Sequence, residues 1–420
     1  TRRRSPFFYQ QFINTETANR TFFTIFTIDE NTRRTMKKLL PLLLLAAATA
    51  SCTRRPVISG RIEGLTNDTL IVQWGAIEAI PAKELHRDTV VVRKGRFTFD
   101  AQIKKPCFFS IRPLQAVIPI RGGYKWYSSV SDIHFTLDRG ERVAIRAKVD
   151  SIYTDYTLSG KSPNTEWSRF RAEQLPLHIA YTRLSLRADT VLSAEETNAL
   201  SERLRALSGK IIGAVTEYIR KNPCETLSGY LLADIPTDSV LSCFTLLDER
   251  VRTSRFAPLI AHAVGKAEAR QRSLEARKKT APGMPAPEFV LRDADGKEFA
   301  LSSLRGRHVV LDFWGSWCGW CIKGFPRMKA CYERYKDKLE IVGIACNDTP
   351  EKWREAIGRH GLPWVHVINP RNAAPGDDVT VRYAVEGYPT KIVIDPEGRI
   401  AARFVGESEE FYDKLAEMLE

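Results

Sequence analysis

Trp317-Cys318-Gly319-Trp320-Cys321, preceded by His308-Val309-Val310-Leu311-Asp312-Phe313-Trp314, decides how the C-terminal part of this sequence is read. The first seven residues are β-branched, aromatic and apolar enough for a buried central strand. From Ile322 the apolar positions switch to helical spacing, at Ile322, Phe325, Met328, Tyr332 and Tyr335. Cys318 is thereby expected at a helix N-terminus, where unsatisfied N–H groups and the macrodipole favour a thiolate. Cys321 falls one turn inside. Residues three apart on a helix lie about 5–6 Å from each other, within disulfide reach. The spacing predicts thiol-disulfide exchange between an exposed nucleophile, Cys318, and a sheltered resolving thiol, Cys321.

A structural zinc site is the competing reading of such a pair, and it needs about four ligands. No second C-x-x-C or H-x3-H is present; Cys331 belongs to the same helix and Cys346 to the next apolar strand, so no metal is expected. The chemistry calls for no cofactor. Asp312, six residues before Cys318, interrupts an otherwise apolar strand. An unpaired carboxyl in such surroundings is expected to have a raised pKa, which suits Asp312 to exchanging the proton of Cys321 near neutral pH; a carboxylate satisfied by a local lysine or water is the plainer alternative.

With these residues in view, the stretch from about Ala286 to Glu420 resembles the thioredoxin fold, in particular the TlpA-like and ResA-like extracytoplasmic thiol-disulfide oxidoreductases. The resemblance is carried by Asp312-Phe313-Trp314, the Trp317–Cys321 motif, Pro326, and Gly387-Tyr388-Pro389-Thr390. It implies a redox-active Cys318–Cys321 disulfide and a cis peptide bond between Tyr388 and Pro389. It also implies a substrate platform in which an extended segment pairs with the main chain of Tyr388, with Trp317 and Trp320 shaping side-chain preference. Two departures stand out: the dipeptide between the cysteines is Gly-Trp, and Gly324 stands where many TlpA-like proteins carry a glutamate. Trp320 cannot stabilise a thiolate by charge as a histidine would, which tilts the expected direction toward reduction of protein disulfides.

Met36 to Cys52 reads as two lysines, a short apolar core and small residues ahead of a cysteine, a secretion signal too short to span a bilayer, which needs about 20 apolar residues. Its end, Thr49-Ala50-Ser51-Cys52, resembles a bacterial lipoprotein signal, in which Cys52 becomes the lipidated first residue; an ordinary cleaved signal is the alternative. Residues 1–35 are then a non-native upstream extension and 36–51 the signal. The implied location is the periplasm, lipid-anchored to the cell-envelope membrane.

The formal charge of +13 falls to +8 without residues 1–51, which hold eight basic and three acidic residues. There is no basic run or aromatic nucleic-acid pattern, so no nucleic-acid partner is expected. About 370 mature residues predict two or three domains. Short alternating segments within 52–163, with Lys94-Gly95 as a hairpin turn, predict an antiparallel β-sandwich-like domain, and this part resembles the small β domain preceding thioredoxin modules in some Gram-negative lipoproteins. Residues 164–277 read as helical, with a Ser193/Glu196 capping box opening one helix. The run 278–287 reads as a linker, and 288–420 as the α/β thioredoxin-like domain.

Eight cysteines permit further bridges; Cys224 and Cys243 are one option, and isolated buried thiols are the other. The expected partners are protein disulfides or dithiols and an upstream thiol-disulfide electron donor. Two other functions compete. A peroxiredoxin-like peroxidase would carry Pro seven and Thr or Ser three residues before its reactive cysteine, where this chain has Leu311 and Gly315. The other is a ligand- or partner-binding lipoprotein whose thioredoxin domain is a redox accessory.

Overall fold

The computed structural model describes residues 57–79, 85–119, 125–188, 190 and 192–420. The expected upstream extension, signal sequence and lipidated Cys52 lie outside these residues. The chain forms two compact units, one running to Gly265 and the other from Lys266 to Glu420. The fold class is the expected one: a β-rich N-terminal part, a helical middle and a C-terminal thioredoxin-like α/β domain.

In the first unit, strands β1 (Ile58–Glu63), β2 (Thr69–Ala76), β3 (His86–Val91), β4 (Arg96–Phe99), β5 (Cys107–Pro113), a small hairpin β6/β7 (Val117–Pro119 and Lys125–Tyr127), β8 (Ile133–Leu137), β9 (Val143–Val149) and β10 (Thr154–Ser159) follow in order. They build two four-stranded sheets, β10-β9-β1-β4 and β3-β2-β5-β8. Both sheets bury their inward residues in one shared core that includes Ile58, Phe97, Phe109, Ile145 and Tyr156. Lys94 and Gly95 make the turn between β3 and β4, both at positive φ, closed by reciprocal bonds between Arg93 and Arg96. The sheets are not purely antiparallel, because β1 pairs in parallel with β9. β10 escapes a sequence reading: only Tyr156 and Leu158 mark its apolar face, among threonines, an aspartate and a serine.

Helices α1 (Asn164–Arg187), α2 (Ala194–Lys221), α3 (Thr226–Leu231), α4 (Thr237–Phe244), α5 (Glu249–Arg252) and α6 (Ala257–Lys279) follow. The α2 capping box forms reciprocally between Ser193 and Glu196. α2 buries Leu200, Ile211, Val215 and Ile219, while Leu204 and Leu207 stay half-buried.

The second unit contains β11 (Val290–Asp293), β12 (Glu298–Ala300), β13 (His308–Trp314), α7 (Gly319–Tyr335), β14 (Leu339–Ala345), α8 (Pro350–His360), β15 (Val365–Ile368), α9 (Val379–Arg382), β16 (Thr390–Ile394), β17 (Ile400–Val405) and α10 (Glu409–Leu419). Its sheet has the order β12-β11-β15-β14-β13-β16-β17. β13 lies inside the sheet, parallel to β14 and antiparallel to β16. Both faces of β13 are covered, so the strand is apolar almost throughout. Alternation divides it: Val310 and Trp314 join the core formed with α7 and α10, and Val309, Leu311 and Phe313 join the opposite core with Tyr383. Asp312 shares the parity of Val310 and Trp314, which aims it to the α7 side. The stretch read as a linker is bonded to this unit, through Gly283 N–H to Ile400 O at 2.7 Å and Ala286 N–H to Gly398 O at 2.9 Å.

Candidate active site

The motif sits where β13 hands over to α7. Cys318 is the N-cap of α7, in extended conformation, and its sulfur accepts a hydrogen bond from Cys321 N–H at 3.2 Å. Cys318 and Cys321 form a disulfide with a Cα separation of 5.3 Å. The preceding loop is pinned from the end of β14: Ser316 donates its N–H to Asp348 Oδ2 at 2.6 Å and its hydroxyl to Oδ1 at 2.8 Å. Trp317 donates its indole N–H to the Cys346 carbonyl at 3.0 Å. Gly315 makes that possible, since a Cβ there would stand 2.4 Å from Trp317 Nε1.

The cysteines are less accessible than expected. Cys318 is 6 % exposed and Cys321 3 %, whereas Trp317 and Trp320 are 53 % and 68 % exposed. As a disulfide, Cys318 joins the apolar cluster of Trp314, Phe325 and Phe411, with Tyr388 packed on that cluster. The surface the motif presents is therefore indole rather than sulfur.

The Tyr388–Pro389 bond is cis. The Tyr388 ring meets Trp317 edge-on with centroids 5.3 Å apart. Burial pushes the Cys346 thiol up to about 12, partly offset by its hydrogen bond with Tyr388. Burial likewise raises the Tyr388 phenol, helped by Cys346. Cys346 is thus an inert neighbour of the site.

Asp312 is 2 % exposed, and its Oδ1 has no hydrogen-bond partner. Burial raises its pKa, the Lys391 ammonium pulls it down, and Glu407 pushes it up again. Lys391 stands opposite Asp312 in the β13/β16 register and is also 2 % exposed. Its Nζ is 4.0 Å from Asp312 Oδ1 but 2.7 Å from Glu407 Oε2. Glu407 lies over Gly324 of α7, where a Cβ would come within 2.5 Å of Oε2. Sequence reading missed Lys391, Glu407 and Asp348. Lys391 carried a usable signal, a lone cation in Lys391-Ile392-Val393-Ile394 that complements the lone acid of the other apolar strand.

Cys107, Cys224, Cys243, Cys331 and Cys346 are all free thiols, so the optional Cys224–Cys243 bridge is absent. Among the described residues, no group of three or more His, Cys, Asp or Glu side chains could hold a metal, and no helix is long and apolar enough to cross a membrane.

Residues 281–419 match the Redoxin family model. Thiol-disulfide oxidoreductase ResA of Bacillus thuringiensis (strain Al Hakam) is 33% identical over 132 residues, 31% of this chain and 73% of the relative. ResA of Bacillus subtilis (strain 168) is 34% identical over 125 residues, 30% of this chain and 67% of the relative. Among solved structures, the thioredoxin domain of a thiol-disulfide oxidoreductase from Bacteroides vulgatus is 29% identical, covering 33% of this chain and 99% of that one, with a TM-score of 0.31. The identities to the two ResA proteins, each covered over two thirds or more of its length, show that the chain belongs to the ResA family of thiol-disulfide oxidoreductases.

Proposed function

We propose that this thiol-disulfide oxidoreductase works outside the cytoplasm as a reductase of protein disulfides, with Cys318 as nucleophile and Cys321 as resolving thiol. The observation that carries the reading is the Cys318–Cys321 disulfide at the N-terminus of α7, with Tyr388 packed against the neighbouring Trp317. In the reduced enzyme the Cys318 thiolate attacks one sulfur of a partner disulfide, and the other partner sulfur leaves as a thiolate. Cys321 then gives its proton to Asp312 and attacks the Cys318 sulfur. The mixed disulfide breaks, the second partner sulfur leaves, and two electrons have passed to the partner. An upstream dithiol donor restores the pair.

Tyr388 and Pro389 form the platform for an extended partner segment, flanked by the exposed indoles of Trp317 and Trp320. Cys52 carries the lipid that tethers the enzyme to the envelope membrane, a place supported by the signal-like Met36–Cys52 sequence.

A Cys321→Ser variant tests the reading, because it should hold its partner in a mixed disulfide through Cys318 that dithiothreitol releases. Cys318→Ser should capture nothing and should lose insulin-disulfide reduction. Capture that persists without Cys318 would refute the assignment. Lipid mass on the peptide beginning at Cys52 is the expected finding for the tether, and an unmodified peptide from soluble protein would refute it.

A further inference from the structure

Three ionisable side chains lie in series beneath the α7 side of the sheet. Glu407 is 23 % exposed at the side chain, Lys391 2 % and Asp312 3 %. A lysine facing a buried aspartate would be expected to close on it, since a buried charge is costly unless paired. Here it does not: the ammonium is held by Glu407, and Asp312 Oδ1 is left without a hydrogen bond. Two features keep Glu407 in place. Tyr412 donates its hydroxyl to Glu407 Oε1 at 2.6 Å, and Gly324 opens the space that the carboxylate occupies. Arg327 of α7, which also acts on this region, is taken up by a bidentate pair with Glu409 and lies over the Tyr412 ring. Cys346 at the end of β14 feels the Asp312 charge, and Cys321 of α7 belongs to the apolar cluster with Val310 and Trp314, the β13 residues that share the parity of Asp312.

We propose that Glu407 is a positioning residue for disulfide exchange: by holding the Lys391 ammonium at 2.7 Å it leaves Asp312 only a long 4.0 Å contact with that cation and keeps the carboxyl available to take the proton of Cys321. The inference rests on the exchange reading of the site. In the resolving step the S–H bond of Cys321 breaks and its proton moves to the Asp312 carboxylate. The Cys321 sulfur bonds to Cys318 as the Cys318–partner bond breaks, and the partner sulfur departs with the electron pair. The base must be ionised beforehand and must still hold a proton well enough to accept one, so the charges around it set the pH at which the step runs.

The signs differ between variants. Without the Glu407 charge, Lys391 is free to close on Asp312, the carboxylate is stabilised, and the acidic limb of the resolving rate moves to lower pH. Without the Lys391 charge, Asp312 keeps its proton to higher pH, and the limb moves the other way. Gly324→Ala adds no charge, yet its methyl group must push the Glu407 carboxylate aside, so it should copy Glu407→Gln.

The test uses the reduced full-length chain in a Cys224→Ser background, which removes an exposed thiol outside the site. Ellman's reagent is added in single turnover, and the second release of thionitrobenzoate reports attack by Cys321 on the loaded Cys318. The rate is followed between about pH 5 and 9. Glu407→Gln and Gly324→Ala should shift the acidic limb down by about half a unit or more, which is about a threefold change in rate at a fixed pH on that limb. Lys391→Met should shift it up. Limbs that stay in place, or that move the same way in Glu407→Gln and Lys391→Met, would overturn the proposal. If Lys391→Met does not fold, disagreement between Glu407→Gln and Gly324→Ala would overturn it equally. Wild-type protein that gives no second release would instead overturn the exchange reading itself.

Discussion

Lys391 faces Asp312 across the paired strands β16 and β13, yet its ammonium is 4.0 Å from that carboxyl and 2.7 Å from Glu407. Asp312 is buried and raised in pKa, with only a long ion pair to Lys391 and no hydrogen bond at Oδ1. The folded state binds the Asp312 proton more tightly than the unfolded chain does. Over the window from the unfolded carboxyl value of about 4 up to the raised folded value, the native state holds more protons, so stability falls as pH rises. Asp312→Asn removes that dependence. It should raise the unfolding temperature of the C-terminal unit at pH 8 and leave it nearly unchanged at pH 4, as read by calorimetry. A variant less stable than wild type at pH 8 would show that the ionised carboxyl is well paired after all.

A thiol at a helix N-terminus forms its thiolate more readily than one a turn inside, and Cys318 is the N-cap of α7. Limiting iodoacetamide should therefore label Cys318 before Cys321, with the buried Cys346 slower than both. Peptide mass mapping after brief labelling checks the order. Labelling mainly at Cys321 would reverse the two roles, whatever the insulin assay shows.

Asp348 fastens the motif loop through two bonds from Ser316 and a third from Thr349 N–H at 3.1 Å. Asp348→Ala leaves the Ser316 N–H without its acceptor in a part-buried setting and should cost about 1–3 kcal/mol. Ser316→Ala loses only the hydroxyl bond and should cost about 1 kcal/mol or less. Urea unfolding of both variants provides the comparison. Equal losses would mean that the backbone bond contributes nothing.

How much of this was legible in sequence depends on the range of the interaction. The cysteine pair, the helix it heads and the lone acid of β13 are local patterns, readable from periodicity and spacing. Gly387-Tyr388-Pro389-Thr390 was legible only through its resemblance to a family motif. The Lys391–Glu407 pair was not, because Glu407, in the loop after β17, reaches Lys391 across sixteen residues and over Gly324 of α7. The burial of Cys318 also escaped, since a helix N-cap says nothing about which rings pack on it. In the first unit, the parallel pairing of β1 with β9 joins strands far apart in sequence, which short alternating segments cannot specify.

Trp320 is the most exposed large apolar side chain at the motif, with the Lys323 ammonium 4.7 Å from its ring centroid. It lies between the two cysteines, yet no buried polar group depends on it, so its loss should leave the fold intact. If the exposed indoles hold a partner polypeptide, Trp320→Ala removes contact area that only a protein substrate uses. Removing an aromatic contact at the centre of an interface commonly costs more than 1 kcal/mol, so kcat/KM for insulin should fall about tenfold. Turnover of a small linear disulfide such as bis(2-hydroxyethyl) disulfide, which is too short to reach the platform, should change by less than about twofold, because the sulfur chemistry is untouched. Parallel losses on both substrates would mean that Trp320 acts on the thiols themselves, through the covering of the disulfide rather than through recognition. An unchanged rate on insulin would move the recognition surface to Trp317 and Tyr388, whose edge-on contact is the other apolar feature beside Cys318.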